Sequence, residues 1–202
     1  MVLVIAYWWW SAHARKTPGK QVFTPASIVD QVEYAAANAR SWRVTTVGTM
    51  QGRPFQSDQD VLCPSDSHTV THVTDVAGAS SVAEEFIQTK DTLYAREANE
   101  AWQSQPKTAE PCRTGPMAGP ASLLDTLENL KRQGIVRRGD LLGTAGASCR
   151  VWDFYAAGGL LGSICVDDET HLPYDVKVGT LRVQYSNWNM PLIIEPPPGA
   201  TH

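Results

Sequence analysis

Three groups of residues have types and spacings that could do chemistry. His68 and His72 stand four apart, as two ligands of one metal would on a helix, where such residues share a face. Between them, however, Thr69-Val70-Thr71 is β-branched, and an extended chain sets residues four apart at roughly 13 Å. The pair therefore reads as ordinary strand histidines. Asp167-Asp168-Glu169 could hold a cation, but it lies between an apolar run and Leu172-Pro173, where a solvated turn is the simpler expectation. The four cysteines, Cys63, Cys112, Cys149 and Cys165, contain no C-x-x-C pair, which excludes the common zinc-ribbon spacings and leaves disulfides or core thiols. Gly143 to Gly146 lacks the rest of a phosphate-loop or dinucleotide fingerprint, and there is no G-x-S-x-G elbow and no H-E-x-x-H. A hydrolase would need His68, His72 or His171 to meet a carboxylate and a hydroxyl in a cleft. No enzyme, cofactor or metal site is expected from these patterns.

The elements that must position these residues come from composition and periodicity. In 202 residues, 17 basic side chains face 21 acidic ones, a net charge of −4, which argues against a nucleic-acid partner held by a basic face. A hydrophobic fraction of 43% is enough for a buried core. No apolar run approaches the ~20 residues that span a bilayer. Val2 to Trp10 is unbroken apolar, and Ala12-His13-Ala14 fits the small-x-small rule of a signal peptidase site, although no Lys or Arg precedes the run. Residues 1–14 are therefore expected to be a signal peptide cleaved after Ala14, with a buried first strand as the other reading. A polar lead-in over 15–23 follows, and a periplasmic or secreted protein is expected.

Thr24-Pro25 supplies an N-cap and a first-turn proline, and Ile28, Val32, Ala35, Ala36 and Ala39 recur at helical spacing, which predicts a helix over 24–40. From Ser41 the period drops to two. Strands are predicted near 42–47, 54–63, 68–76, 81–89 and 92–97, separated by turn signals. A Pro/Gly-rich connection over 105–120 leads to a second helix, whose stripe is Leu123, Leu124, Leu127 and Leu130 and whose C-cap is Gly134. Strands resume at 135–144, 148–155, 161–167, 174–178 and 180–187, and the tail Glu195 to Gly199 reads as extended. Helix, meander, helix, meander is an α+β order with an antiparallel sheet, and the two stripes must lie on one face of it. Trp42, Trp102, Trp152 and Trp188 read as core or rim aromatics.

Around Ala156-Ala157-Gly158 a three-residue hairpin loop pairs Tyr155 with Gly159, and the same register sets Cys149 opposite Cys165. A cross-strand disulfide is then possible, which would leave Cys63 and Cys112 as a second pair. Sequence alone leaves three connectivities open.

The stretch Ile164 to Val178 (ICVDDETHLPYDVKV) resembles the strand, acidic turn, leucine-proline, strand hairpin of the LolA-like proteins. These include a periplasmic lipoprotein carrier and mycobacterial envelope lipoproteins of the LppX and LprG type. Val183 to Pro191, the closing Leu192 to Gly199, Thr89 to Arg96, and Cys63-Pro64 at a strand start look similar too, and the element order agrees over 24–199. The resemblance implies an open, strongly curved antiparallel β half-barrel with helices covering its concave face. It further implies an apolar cavity for a lipid or acylated ligand. Trp42, Val44, Val70, Phe86 (or Ile87), Trp152, Phe154, Val183 and Tyr185 would line it, with Leu123 and Leu127 above; a filled core would need the same residues. There are two departures. Cys63 stands where the carrier has an arginine before a proline, so a gated shuttle is not expected. No cysteine follows the leader for acylation, so no lipid anchor is expected. The expectation is a soluble carrier or sensor of an amphiphilic ligand over 24–199. Its alternative is an envelope protein-interaction module on the same fold without a lipid.

Overall fold

The computed structural model describes residues 28–75, 77–98, 100–107, 132, 135–144 and 147–199. The helical period appears as α1 (Ile28–Ala37), with Asp30 in its first turn, where a carboxylate complements the helix dipole. Asn38 ends it by donating its side-chain amide to the Tyr34 carbonyl at 2.7 Å. Residues 24–27 of the expected helix, and the whole Leu123–Leu130 stripe, lie outside the described residues.

Eleven strands follow: β1 (Ser41–Met50), β2 (Arg53–Leu62), β3 (Asp66–Thr74), β4 (Ser80–Gln88), β5 (Thr92–Glu97), β6 (Gln103–Pro106), β7 (Ile135–Thr144), β8 (Ala147–Ala156), β9 (Gly159–Val166), β10 (Pro173–Val178) and β11 (Leu181–Ser186). All form one sheet in the order β6-β5-β4-β3-β2-β1-β11-β10-β9-β8-β7, with every pairing antiparallel. Two meanders are thus joined by β1 with β11. The sheet stays open at β6 and β7, the curved half-barrel that the resemblance implied. The alternation of side chains fixed the strands well. The exception is β6, where Gln103-Ser104-Gln105-Pro106 has no apolar residue to mark it, and its terminal proline suits an edge.

The β1–β2 hairpin turns on Gln51 and Gly52, both at positive φ, the backbone that matches the twist of paired strands. Cys63-Pro64, expected to open a strand, instead forms the turn between β2 and β3.

Alternation across the paired rows defines an inner face, on which α1 lies. Ile28, Val29, Val32 and Ala36 of α1 pack with Trp42, Val44, Val61, Trp152, Phe154, Ile164, Val166, Val176, Val183 and Tyr185. Beyond β11 the chain is pinned back across the α1–β1 junction. The Asn189 side chain accepts from the Arg40 amide at 2.8 Å, and the Asn189 amide donates to the Ser41 carbonyl at 2.8 Å. Trp188 stacks on Tyr185 at 5.4 Å and donates its indole N–H to the Pro173 carbonyl. The tail to Gly199 has no regular structure, as its prolines require.

Candidate functional site

The inner face is divided. Beneath α1, spanning β1 and β8 to β11, it is sealed: Trp152 is 1% exposed and Phe154 0%. Of the residues expected to line a hollow, Trp42, Val44, Trp152, Phe154, Val183 and Tyr185 all belong to this packed core. Burial pushes the Tyr185 phenol above its ordinary range. Leu123 and Leu127 lie outside the described residues.

Across β2 to β5 the same face is mixed: Val61, Ser67 and Thr71 are buried, while Phe55, Ser57, Gln59, Thr69 and Phe86 are partly exposed. One row of paired residues runs Tyr185, Val44, Gln59, Thr69, Phe86, Ala95 and Gln103. The next runs Val183, Thr46, Ser57, Thr71, Glu84 and Glu97. Phe86 therefore shares the face of Val44 while remaining partly exposed, and its neighbour Ile87 faces the other way. Val70 does not join them. It pairs with Asp58 and Glu85, in the row of Thr45, on the outer face.

Phe55, Val73 and Leu93 complete a partly exposed apolar set on the inner face. Phe55 and Leu181 close over Gly48, where a Cβ would stand 3.0 Å from the Phe55 ring and 3.2 Å from Leu181. The expected list omitted Phe55, Gln59 and Thr69. The alternation Phe55, Ser57, Gln59, Val61 could have signalled the first two, but only the cross-strand register places Thr69 beside Gln59.

The outer face is laced with charge pairs. The Arg43 guanidinium donates to both Asp60 oxygens at 2.6 and 2.7 Å, and Arg182 donates to Asp175 at 2.8 Å. His68 Nε2 meets Glu85 Oε1 at 2.7 Å, and Arg96 Nε donates to Glu85 Oε2 at 2.7 Å while its guanidinium lies 4.6 Å from the Trp102 ring centre. Burial alone would raise the Glu85 pKa, but hydrogen bonds from His68 and Arg96 outweigh it and hold the carboxyl below its ordinary range. His72 sits on the same face but apart, in an open cleft of about 480 Å³ with Val47, Pro54, Gln56, Thr74 and Ser80. The two histidines thus have separate surroundings. Among the described residues no cluster of three His, Cys, Asp or Glu side chains is placed to hold a metal.

The acidic stretch at 167–169 forms a turn. Asp167 Oδ1 accepts from the backbone amides of Glu169 and Thr170, and Asp168 accepts from Arg150 at 2.7 Å. Cys149 and Cys165 are disulfide-bonded with their Cα atoms 5.4 Å apart. Their register differs from the expected one: Cys165 stands opposite Val151. Cys63 is disulfide-bonded as well, and Cys112 lies outside the described residues.

No family model matches the chain, and no curated protein matches it. Solved structures do. The crystal structure of LprF from Mycobacterium bovis is similar with a TM-score of 0.57 at 16% identity, covering 87% of this chain and 97% of that one. The crystal structure of the lipoprotein LppX from Mycobacterium tuberculosis is similar with a TM-score of 0.52 at 14% identity, covering 85% and 98%. At these identities the likeness shows the fold. The chain has the LolA-like half-barrel fold that its motifs resembled.

Proposed function

We infer that this chain is an exported binding protein that carries or senses an amphiphilic, acylated ligand on the inner face of its half-barrel. The observation that carries this reading is the divided inner face. One part is a packed core, while the other leaves Phe55, Val73, Phe86 and Leu93 half-buried. Sequestering acyl methylenes there contributes about 0.8 kcal/mol each, with no covalent step. Similarity to two mycobacterial structures, one of them the lipoprotein LppX, supports an envelope role. The disulfide supports an oxidising compartment, in keeping with a leader over 1–14, a lead-in over 15–23 and a binding domain over 24–199. No helix among the described residues is long and apolar enough to cross a membrane.

The test is to purify the protein from its native envelope, extract it with organic solvent and identify the extract by mass spectrometry. Acylated species at stoichiometric amounts are expected. Clean extracts, together with an inner face closed by the protein's own side chains, would end this reading.

One observation favours a second reading, a protein-interaction module. Leu141 and Leu142 on the edge strand β7 and Leu160 on β9 are about half exposed. A Leu141→Lys, Leu142→Lys variant that loses a co-purifying envelope protein, from a parent whose organic extracts are clean, would support a docking edge on β7.

A further inference from the structure

Two exposed apolar stretches sit on backbone that lacks a pairing partner. The first is the edge strand β7, which has β8 on one side and no described strand on the other, so a row of its N–H and C=O groups faces outward. The opposite edge is guarded, because β6 has only four residues and closes on Pro106. In β7 the ladder is irregular between Arg138 and Leu141, then runs regularly to Thr144. Leu141 and Leu142 in this regular part are both exposed, one on each face of the strand.

The second stretch is in the tail. From Leu192 to Glu195 exposure alternates: Leu192 and Ile194 are partly buried, while Ile193 and Glu195 are exposed. That is the pattern of a strand laid on a surface. Yet these four residues make no backbone hydrogen bond among the described residues. Pro191 and Pro196 bound the segment and limit any pairing to these four amides. It is held at both ends, by Ser41 Oγ donating to the Met190 carbonyl and by the buried Pro197. The chain's own β7 lies four strands beyond β11, roughly 19 Å across the sheet, so a tail pinned at Ser41 is presented away from it.

We propose that Leu192 to Glu195 of one copy adds to the free edge of β7 in a second copy. An antiparallel run lays Ile193 against Leu141 and Leu142 and carries Glu195 toward Arg138. The Arg138 guanidinium rests 5.8 Å from the Trp152 ring centre, and neither it nor Glu195 enters an ion pair among the described residues. Pairing therefore satisfies two open backbones, covers three exposed apolar side chains and brings opposite charges together. The contact joins unlike surfaces, so it closes when two copies exchange tails and extends into chains when they do not. Four residues make a small interface of the weak, transient class. The proposal rests on the β7 docking edge of the second reading above and names its occupant; ligand binding on the inner face plays no part in it.

Sedimentation velocity of the full chain, over roughly 10 μM to 1 mM, reads the association, and the mean mass is expected to rise across that range. Ile193→Lys removes the tail half of the contact, and Leu141→Lys with Leu142→Lys removes the edge half. Each variant alone should stay monomeric. An equimolar mixture should form one-to-one dimers, because each variant keeps the half that the other lacks; a leucine-to-leucine contact would not be restored in this way. Should the lysine variants fold poorly, Ile193→Pro deletes one pairing amide without adding charge and should weaken association likewise. A parent that stays monomeric, association undiminished in either variant, or a mixture that stays monomeric would overturn the self-pairing. The docking edge would still stand if the leucine variant lost a co-purifying envelope protein, and would fall with the self-pairing if it lost none.

Discussion

Cys149 and Cys165 are bonded across β8 and β9, although in the ladder Cys165 stands opposite Val151, two residues further along β8. A three-residue loop at 156–158 would set the cysteines face to face. The chain instead turns on Ala157 and Gly158, and an irregularity beside Phe154 and Tyr155 moves the register once more. The combined displacement is two residues. An even displacement returns every side chain to its original face, so both sulfurs still lie on one side of the sheet. The predicted bond survives a wrong register for that reason.

Removing this bond loosens the unfolded chain more than it disturbs the folded one. With a sequence separation of 16, the Cys149→Ala, Cys165→Ala variant should lose about 3 kcal/mol of stability, read as a lowered urea midpoint. Reducing agent should reproduce the loss in the parent protein and have a smaller effect on the variant.

The core under α1 should behave as packed protein, not as a lined hollow. Phe154→Ala is expected to cost about 3–5 kcal/mol, whereas Ile193→Ala, at a residue 86% exposed, should stay within about 0.5 kcal/mol. Chemical denaturation of both variants checks it. A small loss at Phe154 would mean that the space beneath the helix is open.

Facing is testable by charge. Phe86→Lys places an ammonium on the inner face and should weaken amphiphile binding by roughly tenfold or more, equivalent to about 1.4 kcal/mol. Val70→Lys, one row away but on the face of Asp58 and Glu85, should leave affinity unchanged. Calorimetric titration with 1-monododecanoylglycerol, a single-chain amphiphile, compares them, and equal losses would contradict the assignment of faces.

Glu85 gives the acid limb of stability a definite sign. Its folded carboxyl titrates below the ordinary 4.5, so as pH falls the unfolded chain takes up this proton first. The stabilisation is complete above that value and is lost as pH drops through the folded one. Glu85→Gln should therefore lower stability near neutral pH and give a shallower acid decline than the parent. Urea midpoints measured across the acid range provide the check.

Much of this molecule follows from local pattern. The switch from helical to two-residue periodicity at Ser41 placed α1 and ten strands, because steric preference and side-chain alternation act within a few residues. Turn chemistry at Gln51-Gly52 and the proline-rich tail acted on the same scale. The two one-residue shifts of the β8–β9 register cancel in facing and so preserved the Cys149–Cys165 pair, and a handful of motifs sufficed to resemble the LolA-like fold. What only the tertiary structure decided is which faces meet. Val70 and Phe86 look equally apolar in sequence, and it takes four successive strand pairings, from β11 to β4, to send one outward and keep the other inward. Likewise Trp152 and Phe86 are both inner-face aromatics, but α1 lies over the first and not over the second. The division of one face into a sealed core and a half-buried, partly polar surface depends on where a ten-residue helix rests on an eleven-stranded sheet. No local pattern carries that long-range choice.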